Sequence, residues 1–266
     1  MNPRRFLSAL NIFVRDLRKS LRLTADARSC FRLSMDFVLS RFIHLIPKSY
    51  CNRVREVRLR GEFKIRYRLN KGDLHSIREI WFQEAYRLPF ENSSGVLLDL
   101  GANIGMASVW LAKTYSFTQV IAVEPDPSNA ALVRENLDLN GIAGSVLEAA
   151  IGPKDGMARF GFSEISNLGR LSEDGVPVPM ISVNTIIKRF GVARFALIKI
   201  DIEGGEQELF EGPGDWLART DAIIIEFHPN VADYPRLTRL VSSSGFAYIP
   251  AHSFSYDNMD CFTRAK

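Results

Sequence analysis

The sequence predicts an α/β fold in which a doubly wound, mostly parallel sheet follows an N-terminal helical and β-hairpin extension. From Gly95 onward, short apolar runs alternate with stretches of helical periodicity. These runs are almost wholly apolar, as strands are when helices cover both faces of a parallel sheet. The chain has 266 residues, of which 46% are hydrophobic, so it can bury a large core. We therefore predict a helical extension at residues 1–50, a hairpin and helix cover at 51–94, and a main domain at 95–266.

The extension is predicted to begin with a basic amphipathic helix from Arg4 to Leu23. Apolar residues at helical spacing form one face of this helix, and arginines and a lysine form the other. Residues 1–48 hold ten Lys or Arg against three Asp. Two interpretations follow: the helix packs on the main domain with its basic face in solvent, or it binds an anionic membrane surface or an acidic partner.

Two patterns predict the cover. Residues 56–69, EVRLRGEFKIRYRL, alternate apolar and basic positions around Gly61 and Glu62, which indicates a β-hairpin with one buried face. Residues 76–86, SIREIWFQEAY, have the apolar spacing of a helix that stops before Pro89.

Six apolar runs are the predicted strands of the main domain: VLLDL (96–100), VIAVE (120–124), VLEAA (146–150), FALIKI (195–200), AIIIEF (222–227) and FAYIP (246–250). The segment 161–178 is rich in Ser, Gly and Pro and lacks helical periodicity. We predict that it includes a loop near the entrance of the site.

Composition also indicates the cellular compartment and which classes of partner to expect. The three cysteines are far apart and match no zinc or disulfide spacing, which favours a reducing compartment. No apolar run approaches the ~20 residues that span a bilayer, and no small-residue cleavage site follows FLSALNIFV at 6–14. We expect a cytoplasmic protein, in which the basic helix is the candidate for a peripheral membrane contact. Basic residues outside the N-terminus and the hairpin are offset by acids, so we expect no nucleic-acid partner. The sequence makes no prediction of the oligomeric state.

The turn after the first apolar run carries two glycines and an acid. In DLGANIG, residues 99–105, Gly101 and Gly105 let the backbone approach a ligand, and Asp99 ends the strand with an acceptor. Loops that hold a nicotinamide dinucleotide usually read G-x-G-x-x-G, because pyrophosphate lies against their backbone amides. Two of these glycines are missing, and an acid stands where phosphates would approach. S-adenosylmethionine, which has a positive centre and no phosphate, fits better. A nicotinamide-dependent oxidoreductase is the alternative.

The next two runs support the same ligand. VIAVEPDP places Glu124 25 residues after Asp99, where a carboxylate can accept hydrogen bonds from both ribose hydroxyls. In EAAIG, the small residues Ala149 and Ala150 leave room for a flat adenine ring. Pro125 and Ala150 are therefore included among the predicted cofactor-binding residues.

Further acids follow the fourth and fifth runs, in KIDIEGGE (199–206) and IIIEFHP (223–229). We predict that Asp201, Glu203, Glu226 and His228 converge over the same crevice. Methylation of a neutral hydroxyl needs a base or a metal that assists the loss of its proton. Two interpretations stay open: His228 or Asp201 is a general base, or the acids bind Mg²⁺ or another divalent ion.

In their order and spacing, DLGANIG, VIAVEPDPSNAALVRENLDLNG, EAAIG, LIKIDIEGGEQELFEG and IIIEFHP resemble the FkbM-type S-adenosylmethionine-dependent methyltransferases over about residues 75–230. KIDIEGGE is the most specific part. The resemblance implies a seven-stranded Rossmann-like class I methyltransferase fold. It also implies that Asp201 and Glu203 lie beside the transferred methyl group and that Glu124 holds the ribose. The residues that it implies line the cofactor are Asp99, Gly101, Ala102, Asn103 and Gly105.

The resemblance further implies O-methylation of a hydroxyl on a sugar, a glycan precursor or a secondary metabolite. The expected partner is thus a small-molecule, saccharide or lipid-linked acceptor. The first 50 residues lie outside the pattern that the family shares. A second alternative is a non-catalytic module that keeps the cofactor pocket and docks through its basic N-terminus.

Overall fold

The computed structural model describes residues 14–90, 94–161, 170–171, 174–226, 233–250 and 259–264. Residues 14–23 belong to helix α1. The other helices are α2 Ala27–Leu39, α3 Lys48–Cys51, α4 Lys71–Ile77, α5 Met106–Tyr115, α6 Pro127–Leu139, α7 Val183–Phe190, α8 Glu206–Glu211, α9 Asp215–Ala218 and α10 Tyr234–Ser243. A 3₁₀ helix, Ser40–Leu45, extends α2, and a π-helical turn, Arg78–Phe82, extends α4.

The strands form a hairpin and two sheets. They are β1 Val54–Leu59, β2 Phe63–Arg68, β3 Val96–Leu100, β4 Gln119–Val123, β5 Gly144–Leu147, β6 Ala150–Ile151, β7 Gly156–Gly161, β8 Arg170–Leu171, β9 Val176–Ile181, β10 Phe195–Ile200, β11 Ala222–Glu226, β12 Phe246–Ile249 and β13 Met259–Arg264.

The main sheet has seven strands in the order β12-β13-β11-β10-β3-β4-β5. The five strands from β11 to β5 are parallel, and β13 pairs antiparallel with both of its neighbours. The chain runs from β3 outward through β4 and β5 and later outward from β10, so the winding direction changes between β3 and β10. The predicted doubly wound, mostly parallel fold is confirmed, and ligands bind at such a switch point in open α/β sheets.

The sheet separates two hydrophobic clusters. Because side chains alternate along a strand, Leu97 and Leu197 join one cluster, whereas Leu98 and Ile198 join the other. The cluster of Leu97 also takes in buried residues of the N-terminal segment, among them Phe37. The N-terminal segment thus shares a core with the sheet, while the domain boundaries at residues 50 and 94 stay a prediction.

The predicted hairpin is present. β1 pairs antiparallel with β2, and the turn between them holds Gly61 and Glu62 at φ of 75° and 62°. Val57, Leu59, Ile65 and Tyr67 form the buried face. The outer edge of β2 is bound to α6, because the amide side chain of Asn136 donates to the Arg66 carbonyl and accepts from the Arg66 N–H, at 3.0 and 2.7 Å. The hairpin is therefore fixed to the domain that carries the site.

The helix of the cover begins and ends earlier than predicted. α4 starts at Lys71, where Asn70 caps it by accepting a hydrogen bond from the Asp73 N–H at 2.7 Å. The π-helical turn then ends at Phe82. Tyr86 thus lies in irregular backbone, outside the helix that the sequence pattern predicts for it.

Helix α1 is confirmed over residues 14–23, and the predicted residues 4–13 lie outside the described ranges. Its packing face differs from the apolar face that was predicted. Asp16 and Ser20 are buried, whereas Leu21 is exposed. Asp16 faces inward because it finds a cation there: Oδ2 of Asp16 lies 3.0 Å from an Arg78 guanidinium nitrogen. α1 therefore docks through a buried ion pair.

One strand prediction needs correction. The run 146–150 is split, since β5 ends at Leu147 and β6 leaves for a second, four-stranded sheet ordered β6-β9-β7-β8. Strands β8 and β9 occupy part of the segment 161–178, which was predicted to include a loop; residues 162–169 and 172–173 lie outside the described ranges, so that loop stays a prediction. β9 contains prolines at 177 and 179, which a strand tolerates at an unpaired edge. The edge of β9 that faces β6 is paired only at Met180 and Ile181, so the positions of the two prolines are unpaired on that side.

Candidate active site

The carboxyl ends of four adjacent parallel strands bring the predicted site residues to one edge of the sheet. Asp99 is the penultimate residue of β3, and Glu124 follows β4 directly. Asp201 follows β10, and Glu226 is the last residue of β11. Asp201 and Glu226 thus lie at the ends of neighbouring strands, whereas His228 lies outside the described residues, and the predicted convergence of Asp201, Glu203, Glu226 and His228 stays a prediction.

A buried lysine holds the centre of this edge. In the strand register Lys199 stands beside Asp99, and its Nζ lies 3.0 Å from Asp99 Oδ1. The same Nζ donates to the Gly101 carbonyl at 2.6 Å. Ser108 of α5 donates to the other Asp99 oxygen, Oδ2, at 2.5 Å. Burial by itself would lower the pKa of the Lys199 ammonium, but the charges of Asp99 and Asp201 outweigh burial and raise this pKa above its ordinary value.

The glycine loop approaches the end of β10 more closely than a side chain would allow. Gly101 has φ of 76°, and a Cβ there would fall well inside contact distance of the Asp201 carbonyl oxygen. A Cβ on Gly105, at φ of 78°, would lie 3.0 Å from the Val133 backbone of α6. Glycine is required at both positions by backbone conformation and by space together. The loop is thus held between β10 and α6.

Glu124 faces this loop. Its Oε2 accepts the Asn103 N–H at 2.8 Å, and its Oε1 accepts the Asp126 N–H at 2.9 Å. Burial nevertheless raises the pKa of Glu124 to about 8, because removal from water disfavours the charged form more than these donors favour it. Asn103 takes a left-handed conformation at φ of 50°. Within the described part of the chain its buried Oδ1 has no hydrogen-bond partner.

Asp201 is partly exposed, as is Glu226 on the neighbouring strand. Its side chain is 22% exposed, and its Oδ2 lies 3.5 Å from Lys199 Nζ. The Tyr86 hydroxyl donates to the same oxygen at 3.3 Å. Burial, followed by the charges of Asp201 and Glu226, raises the pKa of Tyr86 well above its usual value. The phenol therefore stays protonated and remains a donor to Asp201.

The remaining predicted residues lie around these groups. Ala102 is buried in the glycine loop, and Pro125 follows Glu124. Ala149 and Ala150 are buried just beyond β5, the neighbour of β4. Glu203 follows Asp201 closely in a left-handed conformation, at φ of 53°. Among the residues that the structure describes, no group of three or more His, Cys, Asp and Glu is arranged to hold a metal ion.

Three residues of this cluster are absent from the sequence-based prediction. Lys199 has a signal that would have revealed it, since it is the lone charge in FALIKI and occupies the place in its strand that Asp99 occupies in VLLDL. Ser108 is the third residue of α5, where a serine carries no distinctive pattern. Tyr86 is separated from Asp201 by 115 positions, and no local pattern encodes that contact.

Comparison with known proteins identifies the family. The profile of the methyltransferase FkbM domain matches residues 99–248. The hexuronic acid methyltransferase AglP of Haloferax volcanii is 28% identical over 184 residues, which cover 64% of this chain and 75% of that protein. The 31-O-demethyl-FK506 methyltransferase FkbM of Streptomyces tacrolimicus is 24% identical over 221 residues, covering 68% and 85%.

A solved structure of a methyltransferase FkbM from Methylobacillus flagellatus KT aligns with a TM-score of 0.49 at 17% identity. The alignment covers 94% of this chain and 58% of the solved chain, so this chain spans less than two thirds of the length of the solved chain. The profile match extends over more than half of the chain and includes the glycine loop, Glu124 and KIDIEGGE. The chain therefore belongs to the FkbM family of S-adenosylmethionine-dependent methyltransferases.

Proposed function

We propose that this methyltransferase methylates a hydroxyl group of a sugar, a glycan precursor or a secondary metabolite. The observation that carries the proposal is the partly exposed Asp201 carboxylate, which two buried donors orient beside the glycine loop. The names of two relatives agree with it, since one is a hexuronic acid methyltransferase and the other acts on 31-O-demethyl-FK506.

The residues of the loop fit S-adenosylmethionine. Gly101 and Gly105 provide a cradle in which added side chains would collide with neighbouring backbone. The buried Oδ1 of Asn103 has no hydrogen-bond partner among the described residues, which makes it an acceptor for the cofactor's amino group. Glu124 accepts two backbone hydrogen bonds and a side-chain hydrogen bond from Asn129, which leaves about one of its four acceptor sites for a ribose hydroxyl. Ala102, Pro125 and Ala150 would complete the cofactor cradle. Asp99 would support it indirectly, by its ion pair with Lys199.

When bound, S-adenosylmethionine supplies an electrophilic methyl group on a sulfonium. The protein's part is to align the acceptor and to take up its proton. Tyr86 and Lys199 both contact Oδ2 of Asp201, which leaves Oδ1 to accept a hydrogen bond from the acceptor hydroxyl. As the hydroxyl loses its proton, Asp201 receives it, and the fixed Lys199 ammonium keeps the pocket's charge balanced. Glu203 and Glu226 would orient further hydroxyls of the acceptor.

Two interpretations of the acids remain part of the proposal. Asp201 is the general base that the geometry favours, and His228 is the other candidate. A divalent ion such as Mg²⁺ is the alternative, although Asp201, Glu203 and Glu226 are not arranged as a metal-binding group in the described structure, and chelation with EDTA tests it. Activity that vanishes with EDTA and returns with Mg²⁺ would replace the general base by a metal.

The first experiment is calorimetric titration of wild type, Glu124→Ala and Asp201→Asn with S-adenosylhomocysteine. We expect binding by wild type and Asp201→Asn and a loss of at least about tenfold in Glu124→Ala, because Asp201 is assigned to the acceptor. A folded wild type that does not bind would overturn the cofactor assignment.

The second experiment incubates the same proteins with labelled S-adenosylmethionine and hydroxylated acceptors, uronic acids first. Asp201→Asn should lower turnover by about 10²-fold or more. Asp221→Asn is the matched control, because this carboxylate precedes β11 at the opposite edge of the sheet, where it pairs with Arg194. Transfer to nitrogen or carbon in place of oxygen would contradict the proposed O-methylation.

A further inference from the structure

The outer face of the N-terminal helical segment carries large apolar side chains. Phe31 and Met35 stand one helical turn apart on α2. Phe42 and Leu45 follow on the 3₁₀ segment that extends α2, which is kinked at Phe42. All four are exposed, Phe31 by 70% and Leu45 by 72%. We call these four residues the apolar face.

The opposite side of the same helix already has its core contacts. Leu33 and Phe37 are buried in the cluster that covers the sheet, and Asp36 accepts a hydrogen bond from Tyr67 at 2.7 Å. Packing on the domain therefore accounts for one side of α2 and leaves the apolar face unexplained. Exposed large apolar side chains at helical spacing are typical of a surface that meets another apolar phase.

The exposed charge of residues 14–50 is predominantly basic. Between residues 14 and 50 the acids are Asp16, Asp26 and Asp36. Asp16 and Asp36 are buried against Arg78 and Arg55, at 3.0 and 3.3 Å, and Asp26 caps α2. Asp26 is exposed, so the exposed charges of this segment are one acid and five cations, Arg15, Arg18, Arg22, Arg28 and Lys48.

We propose that the apolar face and these arginines attach the protein to an anionic phospholipid surface. Arg28 stands one turn before Phe31 on α2, and α1 adds further exposed arginines. Helices that combine exposed phenylalanine, leucine and methionine with basic residues bind in the plane of the membrane interface. Anionic headgroups complement the arginines. A second copy of the chain would bring like charges together, which disfavours self-association through this face. None of the helices in the described ranges is both long and apolar enough to cross a bilayer.

This assignment changes which helix makes the contact. The sequence pattern points to the apolar side of residues 4–23, whereas within the described residues the larger exposed apolar surface lies on α2 and its 3₁₀ extension. α1 adds Leu21 and its arginines. Attachment to the membrane then needs both insertion of apolar side chains and attraction to negative charge. Separate substitutions of the apolar side chains and of the arginines test these two contributions.

The test is flotation of the full chain with vesicles of phosphatidylcholine alone or with added phosphatidylserine. We expect binding only to the phosphatidylserine vesicles at low salt and its loss in about 0.5 M NaCl. Phe31→Ser with Leu45→Ser should weaken binding at least about tenfold. Arg22→Gln with Arg28→Gln should weaken binding and reduce its salt dependence. These side chains are exposed, so unchanged thermal unfolding is the expected sign that the variants fold.

Met157→Ser with Val176→Ser is the matched control, because these side chains are comparably exposed on the second sheet. It should bind as wild type does. A wild type that stays unbound with phosphatidylserine vesicles overturns the proposal, and so does Phe31→Ser with Leu45→Ser binding at full strength. Light scattering that shows a wild-type dimer, converted to monomer by the same two serines, would overturn it in favour of a second copy on the apolar face.

Discussion

The ammonium group of Lys199 lies 3.0 Å from Asp99 on the neighbouring strand, and both side chains are almost wholly buried. The two residues stand side by side in the register of β10 and β3. The same ammonium binds the carbonyl of Gly101, so one cation joins the two strands to the glycine loop. The winding direction of the sheet changes between these strands, and the ion pair thus supports the site at the point where ligands enter such folds.

Removing the cation should therefore destabilise the fold. Lys199→Met leaves the Asp99 carboxylate buried with only Ser108 as a partner, and we expect a loss of about 3–5 kcal/mol in the free energy of unfolding. Urea denaturation measures it. Lys188→Met, on the exposed side of α7, should stay within about 0.5 kcal/mol of wild type. Asp99→Asn combined with Lys199→Met should recover part of the loss, and a single-variant loss below about 1 kcal/mol would contradict the assigned role.

The close approach of the glycine loop to β10 gives a second prediction. Gly101→Ala introduces both a strained backbone and a collision with the Asp201 carbonyl, so the loop must move away from β10. Gly191→Ala is a matched control, because Gly191 has a similar φ of 62° but nothing within 4 Å of an added Cβ. The control should lose about 1 kcal/mol of stability.

Gly101→Ala should lose clearly more stability and should weaken binding of S-adenosylhomocysteine at least about tenfold. Thermal unfolding and calorimetric titration measure the two effects. Equal losses in both variants would show that the loop has room for a side chain.

Tyr86 provides a third prediction, about turnover. Tyr86→Phe keeps the ring over Lys199 but removes the hydroxyl that donates to Asp201. Asp201 should then be less firmly oriented, and we expect kcat to fall about tenfold or more while affinity for S-adenosylhomocysteine stays near the wild-type value. Tyr115→Phe is the control, since its hydroxyl accepts the Leu88 N–H away from the acids. An unchanged kcat for Tyr86→Phe would remove Tyr86 from the positioning of Asp201.

Local sequence patterns predict the strands that are continuous apolar runs and the loop that follows the first of them. The apolar runs at β3, β4, β10 and β11 are predicted close to their observed bounds, and with them the positions of Asp99, Glu124 and Asp201. The missing glycines of DLGANIG already disfavour a nicotinamide cofactor, and the family match decides for a methyltransferase. These features depend on residues that are near one another along the chain.

Contacts between distant segments are what the sequence does not reveal. β13 enters the sheet between β11 and β12 although MDCFTR alternates too weakly to predict a strand beside them. The polar side of α1 faces inward because Asp16 forms an ion pair with Arg78 there. Tyr86 reaches Asp201 from irregular backbone. In each case a partner far along the chain outweighs the local pattern.

Glu124 gives a fourth prediction, which concerns pH. Its ordinary pKa is 4.5 and burial raises it to about 8 in the folded protein. Between these two values the native state holds a proton that the unfolded chain has released. The free energy of unfolding should therefore fall as pH rises through this interval, by the contribution of this one carboxyl group. His75, whose pKa is also raised by its contact with Glu79, contributes in the same direction, so a variant is needed to isolate Glu124.

Glu124→Gln supplies that comparison, because the amide resembles the protonated carboxyl in shape and does not titrate. Urea denaturation from about pH 5 to about pH 8 should show wild type losing stability relative to the variant as pH rises. Cofactor binding should act in the opposite direction, since ribose hydroxyls that donate to Glu124 favour its charged form. Titration of wild type with S-adenosylhomocysteine near pH 7 should then release a proton, seen as a binding heat that depends on the buffer's ionisation enthalpy. Parallel stability curves for the two proteins, together with no buffer dependence, would show that Glu124 is already charged in the free protein.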